Sequence, residues 1–348
     1  MPVKNPPWRS KDQNRELPSA PGAAEPRART ARVAAATRVP AAGAAAAAGA
    51  RHAGARVVLG VAAAGAAAAA YMLFEAQAIE CRTRDLPVPG LPSAWRGLTV
   101  LHLSDVHAGL FPTNERSLAK AVRWAETRQP DLVLLTGDIL GDPGRSKACL
   151  QLLRLLRPPL GMFAVTGNHE YGLGKGPLAK ARDAAALWEQ VGVVLLRDSC
   201  HQLPPRDGTA MVLCGADYLT GGFELRPPEP VAPVLAVFPV LLVHEPPPPD
   251  SPLASRFPLA FAGHTHGGQL RIPGMGGLRP LHYDAPSGGP GKFDAEGQRP
   301  GVDVPAAGAL SGVFSWGRGR LVVSRGVGTS FLPFRLLTRP EATIWRLV

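Results

Sequence analysis

From Leu98 onward, short apolar runs alternate with stretches of helical periodicity, and this alternation limits the possible folds more than any other feature of the sequence. Leu98 to Leu103 is followed by a helical stretch at 114–127, Leu132 to Thr136 by one at 145–156, and Phe163 to Thr166 by one at 177–191. Strands and helices in turn imply layered α/β structure. The second half changes character. Val193 to Leu196, Met211 to Cys214, Val240 to Val243, Leu259 to Ala262, Gln269 to Ile272, Leu321 to Ser324 and Thr343 to Leu347 read as strands with few helices between them. Two mixed β-sheets packed face to face and flanked by helices would accommodate both halves. A chain of 348 residues that is 45% hydrophobic can bury such a core, which excludes a disordered protein.

The regular pattern does not extend to the amino terminus. Residues 1–56 are rich in Ala, Pro, Arg and Gly, with no aromatic after Trp8, and read as a disordered basic tail. The net charge of +11 is concentrated there: ten Lys and Arg against Asp12, Glu16 and Glu25 give +7, leaving +4 for the remainder. The folded part is only mildly basic, so nucleic acid is not an expected partner.

Val57 to Phe74 carries no charge, and eighteen helical residues span roughly 27 Å, close to the hydrocarbon thickness of a bilayer. Eight of the eighteen are Ala, so insertion rests on Val57, Val58, Leu59, Val61 and Tyr71 to Phe74. Arg51 and Arg56 precede the run while Glu75 and Glu80 follow it. The positive-inside bias then keeps the amino terminus cytoplasmic and places residues 79–348, read as one domain, outside. The alternative is secretion after cleavage near Ala78, because Ala76-Gln77-Ala78 has the small-x-small form of a signal peptidase site. The four cysteines, Cys81, Cys149, Cys200 and Cys214, read as buried thiols. Cys200 and Cys214 also flank the turn-like Pro204-Pro205-Arg206-Asp207-Gly208, which leaves a cross-hairpin disulfide open outside the cytoplasm.

Just past the apolar runs stand five short motifs: Asp105-Val106-His107, Gly137-Asp138, Gly167-Asn168-His169-Glu170, His244, and Gly263-His264-Thr265-His266. Ligands collect at the carboxyl ends of strands in α/β sheets, so five strand ends point at one place. Carboxylate, amide oxygen and imidazole, with no thiolate, suit two divalent metals of hard to borderline character, such as manganese, iron or zinc. The spacing of two in Asp105 and His107 puts both side chains on one side of an extended chain. Alone, each motif is weak, since a single His near a strand end is usually a hydrogen-bonded structural residue. Together they are specific: five of the nine histidines fall inside the ordered set.

The set resembles the signature of the calcineurin-like metallophosphoesterases. Leu103-Ser104-Asp105-Val106-His107, Gly263 to Gln269 with Arg271-Ile272-Pro273-Gly274, and Ser324 to Ser330 further resemble a bacterial membrane-anchored phosphodiesterase branch, which includes enzymes similar to UDP-2,3-diacylglucosamine diphosphatase. The resemblance implies that Asp105, His107 and His266 hold one metal and that Asn168, His244 and His264 hold the other. It further implies that Asp138 bridges the two, and that His169 is a catalytic non-ligand acting on the phosphoryl or leaving-group oxygen. Glu170 is expected to orient backbone or a ligand ring, the alternative being a surface or capping carboxylate. Arg271 and Arg325 are candidates for binding a non-bridging phosphate oxygen.

The family's phosphoprotein phosphatases carry Gly-Asp-x-Val-Asp-Arg-Gly and an Arg before Gly-Asn-His-Glu. This chain has Gly137-Asp138-Ile139-Leu140-Gly141-Asp142-Pro143 and Thr166 instead, so a protein phosphatase is not expected. The usual acidic residue three after the bridging Asp is replaced by Gly141. A Gly/Pro-rich stretch from Pro273 to Gly312, with Tyr283, Lys292 and Phe293 in it and Trp316 just beyond, reads as a surface insertion or as a lid over the site. The expected function is hydrolysis of a phosphodiester or pyrophosphate, lipid- or nucleotide-linked, at the membrane. The alternatives are a broad phosphomonoesterase and a non-enzymatic metal-binding module.

Overall fold

The computed structural model describes residues 42–173, 185–248, 251–272, 276–277 and 311–348. By its internal contacts the chain divides into two units, Met1–Val58 and Leu59–Val348. The described part of the first, residues 42–58, is helical and begins α1 (Ala42–Glu75). The helix starts at Ala42, ahead of the uncharged run that begins at Val57; alanine-rich sequence has the highest intrinsic helix propensity. Residues Ala55–Glu75 are long and apolar enough to cross a membrane, and Leu59, Val61, Tyr71 and Phe74 lie exposed along them.

The second unit continues with β1 (Glu80–Leu86), β2 (Thr99–Leu103), α2 (Pro112–Glu126), β3 (Leu132–Thr136), α3 (Pro143–Leu150), β4 (Met162–Val165), α4 (Ala185–Gln190) and β5 (Val193–Leu195). Next come β6 (Ser199–Gln202), β7 (Thr209–Gly215), β8 (Ala236–Leu242), α5 (Leu253–Arg256), β9 (Leu259–Ala262), the short pair β10 (Arg271–Ile272) and β11 (Gly276–Gly277), β12 (Gly312–Trp316), β13 (Gly319–Val323) and β14 (Glu341–Leu347). Two six-stranded sheets result, ordered β1-β14-β2-β3-β4-β5 and β12-β13-β9-β8-β7-β6. Strands β2 to β5 run parallel, as do β7, β8, β9 and β13, while β14 against β2, β6 against β7 and β12 against β13 are antiparallel.

Side-chain alternation builds the layers. On β3, Leu132 and Leu134 point into a core shared with Met211, Leu213, Phe238, Val240 and Phe261 of the other sheet. The intervening Val133 and Leu135 pack outward on Leu118, Ala121, Val122 and Ala125 of α2, spaced to form one helical face. On the far sheet, Ala210, Val212, Cys214, Ala260 and Ala262 pack outward against Leu253, Phe257 and Trp316. Trp316 is therefore a core residue, buried with its indole N–H donating to Pro248 O at 3.2 Å, and not part of a lid. Most of the 273–312 stretch lies outside the described residues.

Cys200 and Cys214 sit directly opposite one another across the antiparallel β6–β7 pair and are joined in a disulfide, the alternative left open by the turn between them; they are therefore not two of four buried thiols. Opposed side chains of one hairpin share a face, which is what brings the sulfurs together. Cys149 stays buried and Cys81 partly so.

Candidate metal centre

The loops leaving β2, β3, β4, β8 and β9 bring all seven candidate ligands into one buried cluster. On one side, His107 Nε2 lies 3.1 Å from His266 Nε2, which lies 3.5 Å from Asp105 Oδ1. On the other, His244 Nε2 lies 3.0 Å from His264 Nδ1 and 3.3 Å from Asn168 Oδ1. Between them, the single oxygen Oδ2 of Asp138 is 3.7 Å from His107 Nε2 and 3.4 Å from His244 Nε2. Three overlapping groups, Asp105/His107/His266, His107/Asp138/His169 and Asp138/His244/His264, each have donor atoms within 4.8 Å of one another.

This donor set fits divalent metal binding. Two carboxylates and four imidazoles buried with their donor atoms converging would be costly unless positive charge stood among them. Among the protein groups alone, a proton on His244 supplies part of that charge: burial, the largest single influence, opposes it, but Asp138, Asp105 and the Thr136 carbonyl together outweigh burial and raise His244 to about 10. Burial likewise works against ionised Asp138, yet His244 and then His169 hold it well below the usual carboxylate range. His264, buried and facing His244, is lowered to about 3 and is therefore neutral, as a ligand must be. The Nδ1–H of His244 donates to Thr136 O at 2.8 Å, which turns Nε2 to Asp138, where a bound cation would take the place of its proton.

The backbone is bent to this purpose. Asp105, His107, Asp138, His264 and His266 have φ of 50°, 47°, 53°, 69° and 49°, so five of the seven lie in the left-handed region that non-glycine residues avoid. Neighbouring loops hold them there. The amide of His107 donates to Asp138 O (2.9 Å), that of Asp105 to Gly137 O (3.0 Å), and that of His264 to Asp105 Oδ2 (3.0 Å). Gly137 at φ 83° permits the turn after β3, and a Cβ there would stand 2.5 Å from His244 Nδ1. At Gly263 a Cβ would fall 1.8 Å from Ser104 Oγ and 2.4 Å from Asp105 Oδ2, so only glycine lets β9 deliver its histidines this close to β2.

Glu170 is neither surface carboxylate nor helix cap. Buried, it accepts from the amides of Asp138 (2.9 Å), Ile139 (2.9 Å), Leu140 (3.0 Å) and Gly167 (2.7 Å), and so fixes the loop that presents Asp138. The position left by the missing acidic residue is filled differently: Asp142 caps α3, accepting from Gly144 N at 2.8 Å, and leaves the Asp138 loop to Glu170. Glu170→Ala removes the acceptor of four amides. A loss of about 3 kcal/mol or more in stability is expected, read by denaturant titration, together with weakened metal retention.

His169 differs from the other motif histidines in being only partly buried. Its amide donates to Asp138 Oδ1 at 2.8 Å, and its ring stands edge-on to His107 with centroids 4.4 Å apart. It thus borders the cluster while keeping a path to solvent. Arg271 donates through Nε to Gly267 O at 2.8 Å, bracing the loop that carries His264 and His266. Arg325 is placed otherwise than expected: Nε meets Glu341 Oε2 at 2.8 Å and its terminal nitrogen meets Glu80 Oε2 at 2.7 Å. Two carboxylates neutralise it, so it is not a spare cation for phosphate.

Two supports were not anticipated from the sequence. Fully buried Arg335 donates to His266 O (3.2 Å), Arg325 O (2.8 Å), Thr338 O (3.1 Å) and Gly328 O, tying three loops together; burial, then Arg325, lowers its pKa to about 9. Its signal is a lone cation inside the apolar run Phe331 to Leu337. Asn114, in the first turn of α2, donates to His107 O (3.2 Å) and Thr329 O (2.9 Å) and accepts from Thr329 N (2.9 Å).

The chain is similar to known phosphoesterases. Residues 98–268 match the calcineurin-like phosphoesterase family. The uncharacterized metallophosphoesterase YkuE of Bacillus subtilis is 29% identical over 78% of this chain and 87% of its own length. The phosphodiesterase YaeI of Escherichia coli is 26% identical over 72% of this chain and 82% of its own. A transmembrane protein with metallophosphoesterase domain from Danio rerio is 30% identical over 53% of this chain and 44% of its own.

Proposed function

Because the chain belongs to the calcineurin-like metallophosphoesterases, and is by that a phosphoric ester hydrolase, we propose that it is a dinuclear phosphodiesterase or pyrophosphatase acting at a membrane on a lipid- or nucleotide-linked phosphate. The single observation carrying this reading is the Asp138 carboxylate standing between two sets of three donors. Asp105, His107 and His266 would hold one ion, Asn168, His244 and His264 the other, with Asp138 shared. When bound, two such ions supply Lewis acidity and an activated water at neutral pH. The ions would be manganese, iron or zinc, all of which accept this donor set.

The chain's own groups do the rest. His169, at the solvent side of the cluster, is the proton donor to the leaving-group oxygen. Glu170 and Arg335 act through the ligands they position. No side chain is required as a nucleophile.

Membrane attachment through α1 is supported by its exposed apolar surface, and the likeness to a transmembrane relative agrees with it. An extracytoplasmic catalytic domain is supported by the charge bias around α1 and by the Cys200–Cys214 disulfide, a bond favoured outside the cytoplasm. Retention of the anchor, in preference to cleavage after Ala78, is supported by buried Glu75, which accepts from Leu337 N (3.0 Å) and Thr338 N (2.6 Å) and is thus part of the folded domain. Placement in the branch of UDP-2,3-diacylglucosamine diphosphatase-like enzymes rests on motif likeness alone. Manganese-loaded protein is expected to hydrolyse bis-p-nitrophenyl phosphate faster than p-nitrophenyl phosphate. The reverse order would favour a phosphomonoesterase, and no turnover at full metal content a binding module.

A further inference from the structure

The reading of α1 as a membrane anchor leaves an adjoining surface unexplained. The run Phe331-Leu332-Pro333-Phe334-Arg335-Leu336-Leu337 is apolar except for Arg335, whose side chain is buried; Phe331 and Leu337 are 53% and 52% exposed. Leu337 also has φ 52°, so a bulky side chain is held in a strained backbone and turned to the outside. Glycine or asparagine would relieve both costs.

This loop is hydrogen-bonded to the last turn of α1. Arg335 N donates to Met72 O at 3.2 Å, and the amides of Leu337 and Thr338 are held by Glu75. At 1.5 Å of rise per residue, Met72 and Glu75 lie about 4.5 Å apart along the helix axis. Whatever depth the end of the anchor takes, residues 335–338 share it. Tyr71, Leu73 and Phe74 are exposed at the same level, so helix and loop form one apolar surface. Three exposed cations surround the helix exit: Arg116 donates to Gln77 Oε1 (3.2 Å), Lys120 to Gln77 O (2.8 Å), and Arg339, which also pairs with Glu80 at 3.5 Å, to Ala78 O (2.7 Å). An apolar patch rimmed by cations at the end of a spanning helix suits the boundary of an anionic bilayer.

The other edge of the loop meets the candidate metal centre. Leu336 N donates to Gln269 O at 3.0 Å, Arg271 N to Leu336 O at 2.9 Å, and the Arg335 guanidinium reaches His266 O. One loop therefore separates the anchor from a ligand-bearing segment.

We propose that Phe331 to Leu337, with Arg116, Lys120 and Arg339, is a second membrane contact that seats in the headgroup region and sets the metal centre there, so that the substrate phosphate belongs to a bilayer lipid. The proposal deepens the function above and rests on its anchor. In the test, the full chain with Cys81→Ser and Cys149→Ser receives an environment-sensitive nitrobenzoxadiazole label at Phe331→Cys, or at Leu337→Cys should the first not fold. It is reconstituted in phosphatidylcholine/phosphatidylglycerol vesicles, and a label at Leu59→Cys reports the anchor. The loop label is expected to be quenched by lipids carrying a shallow nitroxide and shielded from aqueous iodide. Quenching by iodide alone, with the Leu59 label still quenched by lipid, would overturn the proposal and leave the anchor standing. Shielding from both would mean that protein covers the loop, in a second copy or another segment, and would also overturn it. Absence of lipid quenching at both positions would remove the anchor and the proposal together.

Discussion

Asp138→Asn is expected to retain at most one metal equivalent per chain and to lose phosphodiester turnover by about 10³-fold or more. The substitution preserves shape and the acceptor for the His169 amide, which meets Oδ1 at 2.8 Å. What it removes is the negative charge at Oδ2, the one oxygen turned toward both His107 and His244. In the metal-free protein His244 can shed the proton that Asp138 holds on it, so metal-free Asp138→Asn should melt near the metal-free wild type while retaining at most one metal equivalent. Glu170→Ala should do the opposite, losing stability first. Metal analysis by mass spectrometry beside thermal denaturation separates the two. Full metal content in Asp138→Asn would show that the carboxylate does not bridge.

His169→Ala should leave metal content unchanged and slow turnover by about 10²- to 10⁴-fold, the span of general acid–base catalysis. The loss belongs in kcat, because a proton delivered to a departing oxygen matters in the transition state and not in the bound substrate. It should be smaller on p-nitrophenyl esters, whose leaving group departs readily as an anion, than on alkyl phosphodiesters, whose alkoxide needs the proton. Equal losses on both would assign His169 to binding, and loss of metal would make it a ligand.

The strands in the middle of the sheets could be read from the sequence because they are buried on both faces: Leu132 to Thr136 and Leu259 to Ala262 occupy the predicted residues. Three strands of the two six-stranded sheets escaped: β1, β6 and β12. Each lies at the edge of its sheet with much of its length exposed, so neither an apolar run nor a clean alternation marks it. For β1, Glu80-Cys81-Arg82-Thr83-Arg84-Asp85-Leu86 gives no apolar pattern, and the parallel pairing with β14 that makes it a strand is a contact across the whole domain.

The site divides in the same way. Its candidate ligands announce themselves because metal binding restricts residue type, and types survive in the sequence. The positioning groups do not, since any buried acceptor could serve the four amides that Glu170 holds, and nothing in Phe331 to Leu337 says that Arg335 bonds His266 O. Arg325 shows the converse: a sequence places an arginine beside a motif, but only the fold supplies Glu80, from the far end of the chain, to neutralise it. The Cys200–Cys214 bond likewise depended on hairpin register, which one residue of slippage would have reversed.

Anomalous diffraction from crystals of the manganese-loaded protein would decide whether this cluster is a dinuclear centre. Two peaks are expected on either side of Asp138 Oδ2, one among Asp105, His107 and His266 and the other among Asn168, His244 and His264. A single peak, or peaks out of reach of Asp138, would contradict the shared carboxylate and the chemistry built on it.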